Sequence, residues 1–280
     1  MSWLLEPFSY AFMQRGFAAA VIVGTLCAVI GVYIVLRGMA FMGDAMAHAI
    51  LPGVAVAYLL KGNLLVGALI ASLVVAGGIS LFSRKGSIKE DTAIGIFFAA
   101  ALSLGVAIIS GVRSYAVDLS HILFGNVLGV SGSDLLLTAG LAAAVLAVIL
   151  VLYKPFLVIS FDPVLAATLR MPAELLRAVL LILIALTVVI SMQTVGVGLV
   201  AAMLVTPAAA AYLLARRLPA MFLISAGIGA FSGAGGLLLS YYLNIASGAA
   251  IVLLATFIFL LAYLFAPNKG IITRRWSKPA

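Results

Sequence analysis

The stretch GDAMAHAILPG, Gly43 to Gly53, sets an aspartate and a histidine four residues apart, with a proline one turn further on. It lies in a chain of 280 residues that is 66% hydrophobic and 9% charged, with a mean hydropathy of +1.33. A water-soluble domain is about half apolar and about a quarter charged, so this chain lacks the polar surface to live in water. Its solvent is the bilayer. There the backbone must satisfy its own hydrogen bonds, which leaves helices or a closed barrel. The apolar runs around Gly43–Gly53 are too long and too poor in alternation for barrel strands. The sequence therefore specifies an all-α integral membrane protein, a polytopic helical bundle.

Crossing about 30 Å of hydrocarbon takes roughly 20 helical residues. Runs of that kind cover 16–36, 43–60, 64–83, 92–111, 133–153, 173–192, 195–214, 219–240 and 247–266. That makes nine spans. Eight is the alternative, because 43–60 is short and carries Asp44, His48 and Pro52. Arg37, the Arg84–Lys85–Lys89 loop, Lys154 with Arg170, and Arg216–Arg217 all fall on one side of a nine-span chain. The tail with Lys269, Arg274, Arg275 and Lys278 joins them. Lysine and arginine mark cytoplasmic loops, so that side, with the C-terminus, is expected inside and the N-terminus outside. Arg15, Lys61 and Arg113 are isolated exceptions. The net charge of +8 belongs to these loops, and no basic stretch interleaved with aromatics points to nucleic acid.

Nearly all of the chain is membrane, so residues 1–280 read as one domain. Residues 112–132 form an amphipathic or re-entrant connection, and 154–172 a non-spanning piece on the inner side. The N-terminal residues lack a basic start and a cleavage site, so no removable signal is expected. Cys27, the lone cysteine, reads as a small buried hydrophobe. Gly125 with Gly129 and Gly229 with Gly233 have the four-residue spacing that lets helices approach closely.

An aspartate at a helix centre in lipid costs on the order of 3 kcal/mol, so Asp44 needs a reason. Residues four apart share one helix face. Asp44 and His48 can therefore form a structural pair or cap a helix start, relay a proton, or ligate a divalent cation. An oxygen and an imidazole nitrogen suit manganese, iron or zinc. Two ligands do not complete a shell, which suits a site that must release its ion. Pro52 removes an amide and frees a carbonyl near position 48, and broken helices recur beside transporter ion sites.

The other acids are plainer. Glu90, Asp91, Asp134 and Glu174 sit where spans begin, and acids favour helix N-termini. Asp118 and His121 lie in the outer connection, where they read first as ordinary polar residues. Thr206–Pro207 is a kink within a span, with Thr206 able to bond a freed carbonyl. Met46, Met192 and Met203 read as packing. No G-x-x-x-x-G-K-[ST] loop is present, so any ATPase is another chain. The absence of H-E-x-x-H and G-x-S-x-G argues against a membrane protease.

GDAMAHAILPGVAVAYLL, from Gly43, resembles the signature of membrane permeases in metal-ion ABC importers. KEDTAIGIFF at 89–98, ISFDPVLAATLRMP at 159–172 and SMQTVGVGLVAAMLVTPAAAAYLL at 191–214 resemble the same family, nearly end to end along the chain. The glycine-rich SGAGG at 232–236 departs from the pattern. The resemblance implies a permease of the type II ABC importer kind, in a bacterial inner membrane, working as a homodimer. Cytoplasmic ATP-binding-cassette subunits and an extracytoplasmic metal-binding protein would be its partners. It implies that Asp44 and His48 coordinate the metal. It also implies that Ser160, Phe161, Asp162 and Pro163 begin a coupling helix on the ATPase, within a segment of about 159–172. Pro52, Thr206 and Pro207 are candidate pathway or gate residues. No cofactor is expected to stay bound. The cargo implied is a divalent transition metal, Mn²⁺ ahead of Zn²⁺ or Fe²⁺, because 192–208 resembles manganese and iron members. A self-sufficient, proton-coupled metal transporter is the alternative.

Overall fold

A computed structural model describes residues 6–83, 88–110, 127–267 and 270–272, with no strand among them. After a 3-10 turn at Glu6–Ser9, α1 runs Ala11–Leu36, α2 Phe41–Ala49, α3 Leu51–Leu59, α4 Leu64–Ser83 and α5 Glu90–Ser110. A second 3-10 turn, Val127–Gly129, leads into α6, Gly132–Val151. Then come α7, Tyr153–Phe161, and α8, Pro163–Thr168, followed by α9, Ala173–Val195, and α10, Val197–Leu214. The last two are α11, Leu218–Leu243, and α12, Ser247–Phe265. These helices show almost no polar–apolar asymmetry around their axes, as expected where lipid and protein are both apolar.

Every expected apolar run is helical. Eight stretches among the described residues are long and apolar enough to span: α1, α2 with α3, α4, α5, α6, α9, α11 and α12. The doubtful ninth is α10, which is apolar but short, and not the 43–60 run. The reason is local: the chain keeps helical angles through Ile50 (φ −74°, ψ −21°), whereas Gly196 between α9 and α10 turns it at φ +86°. Boundaries also differ. The first span starts at Ala11, not 16, and α5 starts at Glu90 itself. Ser131 caps α6 by accepting from the Asp134 N–H at 3.2 Å, and Asp134 Oδ2 accepts from the Ser131 N–H in return.

The core lies around α1 and α9. Of their apolar stretches 67% is buried inside the protein, against 22–28% in α4, α5, α6 and α12. The outer helices present residues such as Val74, Leu136, Leu150 and Leu253 outward, where only lipid can cover them. Burying apolar side chains drives no helix association in lipid, so close packing and polar ties do that work. Ser225 Oγ on α11 donates to the Ala28 carbonyl of α1 at 2.8 Å. Cys27 is fully buried, as expected, 3.1 Å from Ser191 Oγ of α9. Gly24 and Gly229 let α1 and α11 touch backbone to backbone: a Cβ on either would run into the other's carbonyl oxygen. The extra glycines of 232–236 serve the same approach, Gly233 against Ala20 and Gly236 against Ile251. Gly125 lies outside the described residues.

One end of the bundle gathers the basic residues. Leu36, Phe161, Arg216 and Arg217 line one cleft of about 170 Å³ there, and Arg37 bonds Glu90. Gly229→Leu should therefore cost about 1–3 kcal/mol or more through overpacking, read as a lower thermal midpoint of the detergent-purified protein. Gly227→Ala, whose new methyl meets nothing within 4 Å, should leave the midpoint unchanged.

Candidate metal-ion site

The α2 helix carries Asp44 in its first turn and His48 in its last. Their side chains converge, His48 Nε2 standing 3.6 Å from Asp44 Oδ1. That is too long for a good hydrogen bond, which needs about 2.7–3.2 Å. It is short enough for one cation to touch both, with the usual bonds of about 2.0–2.2 Å. Asp44 does not cap the helix: the N-cap is Ala40, and it makes no side-chain cap bond. The two side chains remain 43% and 26% exposed on the isolated chain. A carboxylate cannot face hydrocarbon at that exposure without large cost, so this face of α2 turns to water or to another protein surface.

The surroundings hold the ring in place. Phe98 of α5 meets the imidazole edge-on at 5.7 Å between centroids, and Phe41 packs on Phe98 at 5.2 Å. His48 Nδ1 is buried with no hydrogen-bond partner among the described residues. Tightly held metals have ligating histidines whose second nitrogen is anchored. A ligand without that anchor suits an ion held in passing. Among the described residues, no group of three or more His, Cys, Asp and Glu side chains could hold a metal ion. Asp44 and His48 thus offer one oxygen and one nitrogen to whatever meets this face of α2.

Pro52 stands at the start of α3. It has no amide to return to the His48 carbonyl, and the helix is interrupted at Ile50 between α2 and α3. Pro207 lies inside α10 and is buried, with Thr206 beside it half-buried. Neither belongs to the Asp44–His48 group; they sit on the helix that packs against α1 and α2. Gly43 allows that contact, since a Cβ there would stand 3.3 Å from the Ala201 Cα. Met46, Met192 and Met203 are buried packing. Asp118 and His121 lie outside the described residues.

Ser160 to Pro163 fall at the junction of two short helices, α7 and α8, distinct from the spans. Ser160 Oγ donates to the Phe156 carbonyl at 2.7 Å. Asp162 Oδ1 accepts from the Leu165 N–H at 2.9 Å, which caps α8, and Pro163 opens it. Phe161, Val164, Leu165 and Leu169 are 44–73% exposed there.

Sequence reasoning passed over two features. Phe98 lies in the 89–98 segment but has no chemistry of its own to mark it. Glu90 read as a helix-start acid, yet its Oε2 accepts from Arg37 Nη2 at 2.7 Å and stands 3.9 Å from Arg177 Nε. Arg37 and Glu90 are 7% and 16% exposed. Burial pushes the Arg37 guanidinium below its usual range, and Glu90 pulls it back up. The signal available was weak: a lone arginine closing one span and an acid opening another.

Known proteins resemble this chain along nearly its whole length. The model of the ABC 3 transport family matches residues 9–266. The chain is 47% identical over 268 residues to the manganese transport system membrane protein MntC of Halalkalibacterium halodurans, covering 96% of this chain and 92% of that one. It is 43% identical to the manganese import system permease protein ScaB of Streptococcus parasanguinis, with 93% and 92% covered. PsaBC from Streptococcus pneumoniae, solved with a Fab, superposes with a TM-score of 0.86 at 38% identity, over 98% of this chain and 99% of that one. An inward-facing structure of a putative metal-chelate type ABC transporter shares the fold, with a TM-score of 0.74 at 15% identity. This chain belongs to the ABC 3 transport family.

Proposed function

We propose that this chain is the transmembrane permease subunit of an ATP-driven importer for a divalent transition metal, Mn²⁺ first, and that Asp44 and His48 hold the ion in passage. The observation that carries the site is the convergence of those two side chains, 3.6 Å apart and partly exposed, within a helix long and apolar enough to span. The cargo is read from the relatives, which are named manganese transport proteins. The ligand types alone do not choose it, since the affinity order favours zinc over manganese. Membership of an ABC family sets aside the self-sufficient, proton-coupled transporter.

The open face points to a homodimer. Half a coordination shell on each of two copies, meeting across an axis, would surround the ion and remove Asp44 from lipid. An extracytoplasmic binding protein would deliver the ion to that interface. The basic end of the bundle would face the cytoplasm, with the C-terminus there. The α7–α8 segment would be the coupling element, since its exposed Phe161, Val164 and Leu165 lie at that end, where an ATPase subunit can cover them. Transport then follows from two conformations that bind the ion and the nucleotide differently. This chain supplies the ligands, the pathway and the coupling surface; ATP is hydrolysed on a separate subunit.

In proteoliposomes holding the complete transporter, Asp44→Ala and His48→Ala should each lower Mn²⁺ uptake by on the order of 10–100-fold, the range seen when metal-site groups are removed. Assembly with the ATPase should be intact; normal uptake in both variants would remove the ion from this pair. Asp162→Ala removes the cap of α8, at about 1 kcal/mol, and Val164→Asp charges its exposed face. Both should reduce the amount of ATPase subunit that copurifies. Unchanged copurification would place the coupling surface elsewhere.

A further inference from the structure

We propose that Glu90, shared between Arg37 and Arg177, is the positioning residue through which movement of the α7–α8 segment reaches the Asp44–His48 pair. The inference rests on the reading of that pair as the ion site and of α7–α8 as the coupling element. A continuous set of contacts joins the two. Phe156 of α7 is fully buried and meets Tyr33 of α1 edge-on at 5.6 Å. Tyr33 also packs on Phe222 of α11 at 5.2 Å, and Phe222 on Tyr153 at the start of α7 at 5.5 Å. The segment is thus wedged by aromatic rings against α1. Arg37 follows Tyr33 by four residues, on the same side of the helix, and its N–H bonds the Tyr33 carbonyl at 3.0 Å.

From Arg37 the contact passes to Glu90, the first residue of α5, at 2.7 Å. Two turns along α5, Phe98 abuts His48. Arg37 also leads directly into α2, whose first turn holds Asp44. Both supports of the ion pair are therefore tied to one carboxylate.

That carboxylate has two cations within reach on two helices. Its Oε2 takes Arg37 at 2.7 Å and Arg177 of α9 at 3.9 Å. Its Oε1 is buried with no hydrogen-bond partner among the described residues, and so is Arg37 Nη1. Spare donors and acceptors around a shared acid allow two discrete arrangements, with Glu90 closer to one arginine or to the other. Coupling between distant sites needs such a two-state element.

The test uses the complete transporter in proteoliposomes, with Mn²⁺ uptake and ATP hydrolysis measured in the same vesicles. The key variant is the double Arg37→Met/Glu90→Gln. Removing both members of the buried pair leaves neither of them uncompensated, and Arg177, about a third exposed, can be solvated, so the protein folds where the loss of one buried partner destabilises it. Expected is an assembled complex that hydrolyses ATP while the Mn²⁺ moved per ATP falls at least tenfold. Arg177→Gln, which leaves the 2.7 Å bond in place, should lower the same ratio. A wild-type ratio in the double variant overturns the proposal. If the double variant does not assemble, Arg177→Gln alone decides, because it keeps the Arg37–Glu90 bond: a lowered ratio upholds the link and a wild-type ratio overturns it. Asp44→Ala run in parallel keeps the readings apart, since normal uptake there strikes the ion site, whereas the ratio in the double variant judges the link.

Discussion

Hydrocarbon offers no hydrogen bonds, and this constraint organises the molecule. Each span must close its own backbone bonds, so a helix is the only local solution for runs this apolar. It also removes the usual reason for helices to associate, because lipid covers leucine as well as another helix does. What remains is contact close enough to gain dispersion energy on both sides. Gly24 against Gly229, with the Ser225 tie to Ala28 beside them, meets that need between α1 and α11. The central α1 and α9 then have fixed neighbours, and the peripheral helices can leave their outer faces to lipid.

The same constraint makes polar groups meaningful. Where the protein tolerates an ionisable side chain, it either pairs it under cover or opens it to a function. Glu90 with Arg37 and Arg177 is the covered case, at the end of the bundle where three helices meet. Asp44 and His48 are the open case: near each other, aligned by helix geometry, and partly exposed. Their side chains stand 3.6 Å apart, and His48 Nδ1 has no hydrogen-bond partner among the described residues.

The interruption after His48 fits this picture. Pro52 breaks the hydrogen-bond ladder without bending the chain out of the helical region, so one nineteen-residue stretch still crosses the bundle. The His48 carbonyl, which Pro52 cannot serve, accepts from the Ile50 N–H instead. The α7–α8 segment uses proline differently: Asp162 and Pro163 end one short helix and start the next, outside the spans. One residue type thus marks a break inside the membrane and a corner at its edge, according to what precedes it.

The sequence by itself determined what depends on near neighbours. Hydropathy located every span, four-residue spacing set Asp44 and His48 on one face, and an acid before a proline marked the start of α8. Each is a matter of helical period, of capping, or of transfer to lipid, all complete within a turn or two. It left open whether 43–60 was a true span, and assigned Glu90 to a helix start and no more. The seat of the His48 ring on Phe98, the Tyr33–Phe156 contact of α7 with α1, and the reach of Arg37 to Glu90 across 53 residues of chain came only with the folded bundle. The physical reason is that these contacts join helices through short-range packing and charge. No periodicity along one helix records which face of another it will meet.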